Sequence, residues 1–207
     1  MVKDIFTIGY SSFKTEEFIA VLKKYKITSL VDVRSNPNSK FYIDYNQNSL
    51  QTILKSNGII YRNYKSEFGA RQLEKKYHKK GYLDFNVYTK SNSFLKGVKK
   101  IEVGMDLNYV FVFMCAEKDP STCHRNIMIA RKFHELGYTI KNILADGSSE
   151  SQESVERRLV DEYFPNRNQL SFFSDDLSWQ EMVNRSYENR NVEIGYRIVD
   201  EEKVNIS

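Results

Sequence analysis

Short apolar runs alternate with amphipathic segments through the first two thirds of the chain. Residues 5–10 (IFTIGY), 29–34 (SLVDVR) and 109–115 (YVFVFMC) are brief and mostly apolar, which is typical of strands buried on both faces. Residues 15–25 place apolar side chains at helical spacing between the first two runs. Because strands that alternate with helices form a covered parallel sheet, the pattern predicts a Rossmann-like α/β fold with helices on both faces.

The later segments continue this alternation. Residues 48–57 form a predicted helix that is stopped by Gly58 and followed by a strand. Residues 71–100 are weakly patterned and are predicted to be mostly helical. A further helix is predicted over residues 120–136, and the run TIKNIL then supplies another strand.

The pattern changes after residue 147. The segment SQESVERRLVDEYF has a serine cap and helical spacing, and Pro165 ends it. A second helix is predicted over residues 177–187. The chain is therefore divided into an α/β domain, residues 1–147, and a helical C-terminal extension, residues 148–207.

Composition limits the expected cellular location of the protein and the kinds of partner that it can bind. No apolar run approaches the roughly 20 residues of a membrane helix, and the first residues lack the cationic and apolar blocks of a secretory signal. Two cysteines are too few for a disulfide framework, so free thiols in the cytosol are expected, with no membrane partner. A net charge of +4 permits a nucleic-acid partner without requiring one.

Candidate site residues follow the predicted strands. In parallel sheets, ligands bind outside the carboxyl ends of the strands. Asp32 and Arg34 alternate along a strand end, so they share a face and either hold a polar ligand or form a structural ion pair. The candidate anion-binding residues at these ends and beyond are Gly9, Tyr10, Ser11, Arg34 and Arg125.

Both cysteines lie in one short segment, MCAEKDPSTCHR (residues 114–125). Cys115 ends a buried strand, and Cys123 is predicted in the first turn of the next helix, where the helix dipole favours a thiolate. Asp32, Cys115, Cys123 and His124 are the candidate catalytic residues, with Cys123 as nucleophile and Asp32 as base or orienting group. Simple packing of Cys115 in the core is the alternative.

A zinc site is a third interpretation of this segment. Cys115, Cys123 and His124 have suitable donor atoms, but adjacent Cys and His side chains seldom reach one ion, and only His78 and His134 remain as further histidines. No metal and no other cofactor is predicted.

Together these motifs resemble the domain of unknown function 488 family. The resemblance covers residues 7–147 and rests on TIGYS, LVDVRSNPNS, FGARQ, GYLDF and MCAEKDPSTCHR, with FGA standing where family members often have LGG. It implies a fold and a candidate site but no reaction. The motif residues it carries over are Gly9, Asp32, Arg34, Pro37, Cys115, Glu117, Cys123, His124 and Arg125.

A weaker similarity connects the chain to rhodanese-type sulfurtransferases. These enzymes also place an aspartate–arginine pair after an early strand and a cysteine after a late one. That similarity implies a thiol-dependent enzyme for sulfur transfer or redox chemistry on a small molecule, without nucleic acid. The fold alone does not establish this chemistry.

The extension contains a second motif, QLSFF. It resembles the pentapeptide by which bacterial replication and repair proteins bind the sliding clamp, and an anchor peptide of this kind concentrates affinity in a few side chains. Packing of the apolar side chains onto the domain is the alternative. The predicted clamp-binding residues are Gln169, Leu170, Phe172 and Phe173.

A cationic stretch, RQLEKKYHKKGY, gives a candidate contact with DNA. Its lysines alternate with aromatic side chains, a pattern suited to phosphates and bases, although a solvated helix face explains it as well. The candidate residues are Lys75, Lys76, Lys79 and Lys80. The leading hypothesis is thus a DNA-associated repair or processing enzyme recruited by the sliding clamp, and the alternative is the thiol-dependent small-molecule enzyme.

Overall fold

A six-stranded sheet forms the centre of the protein. The computed structural model describes residues 4–167 and 177–198. The strands of this sheet are β1 (Asp4–Gly9), β2 (Ser29–Asp32), β3 (Ile60–Asn63), β6 (Phe111–Cys115), β7 (Thr139–Ile143) and β8 (Ser149–Ser151). The strands β4 (His78–Lys79) and β5 (Tyr82–Leu83) form a separate hairpin. Their order is β3-β2-β6-β1-β7-β8, and only β8 runs antiparallel to its neighbour within the described sheet.

Helices cover both faces of the sheet. They are α1 (Thr15–Lys24), α2 (Gln47–Ser56), α3 (Lys65–Phe68), α4 (Phe85–Tyr88), α5 (Asn92–Asp106), α6 (Arg131–Glu135), α7 (Gln152–Tyr163) and α8 (Trp179–Ile194). α1 and α2 pack on one face with Val112 and Met114 of β6. α5, α6, α7 and α8 pack on the other face with Phe111 and Phe113. Successive side chains of β6 therefore pack alternately into the hydrophobic cores on the two faces of the sheet. The predicted Rossmann-like α/β fold is confirmed.

The residues after position 147 are joined to the sheet by a buried polar network. The Gln152 side chain at the start of α7 bonds to Asn126, to Asn142 of β7 and to the Tyr187 hydroxyl of α8. Asn142 also accepts from Thr7 of β1 at 2.7 Å. Because buried polar groups that lack partners are costly, this network fixes α7 and α8 against the sheet.

The lysine-rich stretch forms a hairpin, not the predicted helix. After a 3₁₀ turn at Lys75–Tyr77, β4 (His78–Lys79) pairs with β5 (Tyr82–Leu83) in antiparallel register. Lys80 and Gly81 at the turn have φ angles of 50° and 82°. This left-handed backbone suits a tight hairpin turn and would interrupt a helix.

The predicted helix over residues 120–136 is also broken. It consists of a 3₁₀ turn at Pro120–Thr122, an extended Cys123, a π-helix at Arg125–Ala130 and then α6. Asp119 caps the 3₁₀ turn by accepting a hydrogen bond from Ser121 N. Cys123 has φ −128° and ψ 139°, so it precedes the helix and does not lie in its first turn.

Across the described ranges, no helix combines the length and the apolar character needed to cross a bilayer.

Candidate functional site

A pocket of about 290 Å³ opens beyond the carboxyl ends of β1, β2 and β6. Tyr10 follows β1, Arg34 follows β2, and Cys115 ends β6, so three connections meet here as the strand pattern predicted. A larger cavity of about 620 Å³ lies beside β3 and α5 and is lined mainly by lysines and apolar side chains. We place the candidate site in the smaller pocket because the thiols and the imidazole line it.

Two thiols, a carboxylate and an imidazole lie close together in the lining of this pocket. Glu117 Oε2 lies 3.0 Å from Sγ of Cys115 and 3.0 Å from Sγ of Cys123. His124 Nδ1 lies 3.8 Å and 3.9 Å from the same two sulfurs. Both cysteines are free thiols and are almost fully buried. Glu117 is exposed as a residue, yet its carboxylate turns inward onto the sulfurs.

The expectation that adjacent Cys and His side chains diverge is not met. One donor atom each from Cys115, Cys123 and His124 lies within 4.8 Å of the others. The backbone changes from extended at Cys123 to helical at His124, and this change directs neighbouring side chains to one point. His124 Nε2 is held 3.0 Å from the carbonyl oxygen of Val33, so Nδ1 faces the sulfurs.

Arg125 holds the loop that carries Glu117 through hydrogen bonds to the backbone of that loop. Its Nη1 donates to the Glu117 carbonyl at 2.5 Å and its Nη2 to the Lys118 carbonyl at 3.3 Å. Arg125 is fully buried and does not line the pocket, so it positions the loop and is not placed to bind an anion there. Gly9 permits this approach, because a Cβ at Gly9 would lie 1.9 Å from the Glu117 carbonyl oxygen.

Charge is distributed unevenly over the four groups. The hydrogen bond with Cys123 and burial raise the pKa of Cys115 well above its usual range. Burial opposes ionisation of Cys123, but the hydrogen bond from Cys115 and the charges of Arg125 and His124 outweigh it and lower the pKa of Cys123. Burial opposes the charge on His124, yet its contact with Cys123 raises the pKa of His124. Burial, aided by the charge on Cys123, raises the pKa of Glu117.

Asp32 orients Arg34 and is itself fully engaged. Its two carboxylate oxygens accept from Arg34 Nε and Nη2 at 2.9 Å and 2.6 Å, and from the Tyr61 hydroxyl at 2.7 Å. Asp32 does not line the pocket, whereas Arg34 does. Arg34 also stacks over the Tyr10 ring, and its buried Nη1 makes no hydrogen bond within residues 4–167 and 177–198. That nitrogen is an unsatisfied buried donor.

The remaining predicted residues occupy different places. Ser11 supports the loop through its backbone N–H, which donates to the Ala116 carbonyl at 3.2 Å. The four lysines are exposed on the turn and hairpin at residues 75–80, outside the pocket lining. The predicted clamp-binding residues Gln169, Leu170, Phe172 and Phe173 lie outside the described residues.

Several pocket residues were not predicted as site residues, among them Glu117, Arg71 and Tyr196. Glu117 was named only through the family resemblance, Arg71 only within the cationic stretch, and Tyr196 not at all. The backbone N–H of Arg71 donates to Ser35 Oγ at 2.8 Å, and the Arg71 guanidinium lies over the Tyr196 ring. The spacing of Glu117, two positions after Cys115, was the one available signal, because a charged residue directly after a buried strand falls at the sheet edge.

Comparison with known proteins gives one match. No curated protein and no solved structure matches the chain. The family model "Domain of unknown function DUF488" matches residues 14–131, which include β2, β6, both cysteines, His124 and Arg125. Since the matched segment is more than half of the chain, the protein belongs to the DUF488 family.

Proposed function

We propose that the protein is a thiol-dependent enzyme that acts on a substrate with an anionic group, and that its reaction takes place in the 290 Å³ pocket. One observation carries the proposal: Cys115, Glu117, Cys123 and His124 converge where strand ends meet. Such clusters of buried groups with shifted pKa values in a pocket are typical of active sites.

The anionic group is inferred from the arginines at the pocket. Arg34 Nη1 is buried without a hydrogen bond in the described part of the chain, and Arg71 also lines the pocket. A guanidinium recognises phosphate or carboxylate through paired hydrogen bonds, and one that Asp32 already orients loses little freedom on binding. The volume is at the small end of ligand sites, so a small molecule or one unit of a longer substrate fits.

Calorimetry with inorganic phosphate and a deoxynucleoside monophosphate tests this proposal. We expect saturable binding of at least one probe that Arg71→Gln weakens by about tenfold, since one charged hydrogen bond contributes roughly 1.5–3 kcal/mol. Lys96→Gln, in the larger lysine-lined cavity, is the matched control and should bind as the native chain does. Absence of binding by both probes, or equal weakening by both substitutions, would contradict an anion site in this pocket.

Recruitment to DNA by a sliding clamp is a second proposal, and the QLSFF motif favours it. In the sequence, the motif lies between α7 and α8, away from the residues that line the pocket. The exposed lysines near the hairpin supply positive charge for phosphates; of these, Lys76 is paired with Glu74 at 2.5 Å. Both features are compatible with a cytosolic enzyme that uses the pocket on nucleic acid.

Two binding measurements test recruitment. Micromolar binding to a bacterial sliding clamp that Gln169→Ala with Phe173→Ala abolishes, in a chain with an unchanged melting temperature, would support it. Salt-sensitive DNA binding that is lost when Lys75, Lys79 and Lys80 become Gln would support contact with DNA. A native chain that binds neither partner would overturn this second proposal and leave the pocket chemistry untouched.

A further inference from the structure

We propose that Cys115, Cys123 and His124 bind one zinc ion, with a fourth position open for a water molecule beside Glu117. This goes beyond the anionic-substrate proposal, because it assigns the thiols a role that needs no substrate. Cys₂His is one of the ligand sets found in catalytic zinc sites that retain an open position.

The distances between the donor atoms fit a tetrahedral ion. With Zn–S bonds of about 2.3 Å and Zn–N bonds of about 2.0–2.1 Å, sulfur and nitrogen ligands in a tetrahedron lie about 3.6 Å apart. His124 Nδ1 lies 3.8 Å and 3.9 Å from the two sulfurs. All three donor atoms lie within 4.8 Å of one another. The imidazole nitrogen is almost equidistant from the two sulfurs, so one ion can contact all three atoms. Two cysteines that serve only to form a disulfide need no imidazole in this position.

His124 also has the support that a metal ligand requires. Its Nε2 lies 3.0 Å from the Val33 carbonyl, so Nε2 carries the proton and Nδ1 presents its lone pair. A ligating histidine is usually held by this kind of hydrogen bond on its other nitrogen. Val33 follows β2, and therefore the sheet itself fixes the direction of the ring.

The two sulfurs select the metal. They are free cysteines held in buried positions, each 3.0 Å from Glu117 Oε2. Both bind a metal ion as thiolates, so each thiol releases its proton to solvent when the ion binds. Thiolate with imidazole favours zinc over magnesium or calcium, which prefer oxygen ligands.

The fourth position would serve a hydrolytic reaction. Glu117, Cys115, Cys123 and His124 all line the pocket, so a bound water would face the substrate. A zinc ion held there would lower the pKa of its bound water, and Glu117 would take the proton of that water. The water oxygen would then bond to the electrophilic atom of the substrate as the bond from that atom to the leaving group breaks, and the leaving group would receive the proton from Glu117. This hydrolytic role rests on the proposed enzymatic function, whereas zinc binding itself does not.

Zinc content of the purified full-length chain, kept reduced and dialysed against metal-free buffer, tests the site. We expect one zinc ion per chain. We expect the dissociation constant for zinc to rise about 100-fold or more in each of Cys115→Ser, Cys123→Ser and His124→Gln. The reason is that losing even a residue that only hydrogen-bonds to a metal ligand weakens metal binding roughly 10–100-fold. Thr122→Ala, next to Cys123, and His134→Gln, on α6, are matched controls that should retain zinc.

Cobalt(II) titration of the native chain avoids dependence on variants that fold poorly. A thiolate-to-cobalt charge-transfer band with intense visible bands of tetrahedral cobalt would support the site. Octahedral cobalt without charge transfer, or zinc that every variant retains, would overturn it. The Glu117→Gln variant should keep its zinc ion. If this variant loses zinc, Glu117 is a fourth ligand and the proposed open position for water is wrong. Because these measurements use no substrate, failure of the anion-binding experiment does not affect them.

Discussion

The imidazole of His124 donates from Nε2 to the carbonyl of Val33, 3.0 Å away, and so joins the cysteine loop to the end of β2. This bond turns Nδ1 toward both sulfurs, which lie 3.8 Å and 3.9 Å from it. The site therefore depends on tertiary contacts that hold the loop in place, and these contacts can be altered one at a time.

Gly9→Ala should displace the loop that carries Glu117. The added Cβ would lie 1.9 Å from the Glu117 carbonyl oxygen, and overpacking of this kind costs about 1–3 kcal/mol. Urea denaturation should show that loss, and zinc content should fall with it. Gly58→Ala is the control, since Gly58 has a φ of 72° with open space around it. It should lower stability by backbone strain but leave zinc content unchanged, and equal zinc loss in both variants would count against the contact.

Arg125→Gln should destabilise the protein strongly. The change leaves the Glu117 and Lys118 carbonyls without their donor in a buried place, at about 1–3 kcal/mol for each unsatisfied group. Arg157→Gln removes an exposed arginine of α7 and should change the free energy of unfolding by less than about 0.5 kcal/mol. If the two variants unfold at the same urea concentration, Arg125 does not hold the loop.

Asp119 should make stability depend on acid pH. Burial opposes its ionisation, but the Arg158 guanidinium and the Ser121 N–H outweigh it and lower the pKa of Asp119 to about 2. A depressed carboxyl pKa adds stability above the unfolded pKa of about 3.9, and this contribution is lost as pH falls toward 2. Asp119 is nearly half exposed, so solvent limits the ion pair to roughly 0–1 kcal/mol.

Asp119→Asn provides the comparison. The native chain should lose more stability than this variant when the pH is lowered from about 6 to about 3. Urea denaturation at both pH values measures the difference. Parallel pH curves for the two proteins would show that Asp119 is unimportant to the fastening of the loop.

Asp32→Asn should weaken anion binding without blocking the pocket. The carboxylate fixes Arg34 through bonds of 2.9 Å and 2.6 Å, and an amide can accept only one of them well. We expect the dissociation constant for phosphate to rise about tenfold, within the range for one charge-assisted bond. Tyr61→Phe removes only the hydroxyl bond to Asp32 and should have a smaller effect. A larger effect from Tyr61→Phe would contradict the orienting role.

The sequence predicted the fold because its strongest signals are local. The apolar run in β6 and the alternation of strands with helices need no knowledge of distant residues, and they place Tyr10, Arg34 and Cys115 at one sheet edge. The lysine-rich segment was misread because its cations suit a helix surface. A single Lys–Gly pair with positive φ angles turned it into a hairpin.

The arrangement of the site residues was harder to predict from the sequence, because it depends on breaks in regular structure and on segments that are distant along the chain. Cys123 and His124 converge only where the chain passes from extended to helical backbone. Glu117 looks like an ordinary exposed acid until Arg125 and Gly9 hold its loop against the sulfurs. Tyr196 reaches the pocket from beyond α8, so no local pattern could place it there.

X-ray absorption at the zinc edge of the zinc-loaded native chain is the sharpest test of the zinc site. We expect two sulfur neighbours at about 2.3 Å and nitrogen or oxygen neighbours at about 2.0–2.1 Å, four ligands in all. Cys115→Ser should leave one sulfur neighbour or remove the ion. A spectrum with only oxygen and nitrogen neighbours in the native chain would contradict a Cys₂His site, since both thiols would then lie outside the metal site.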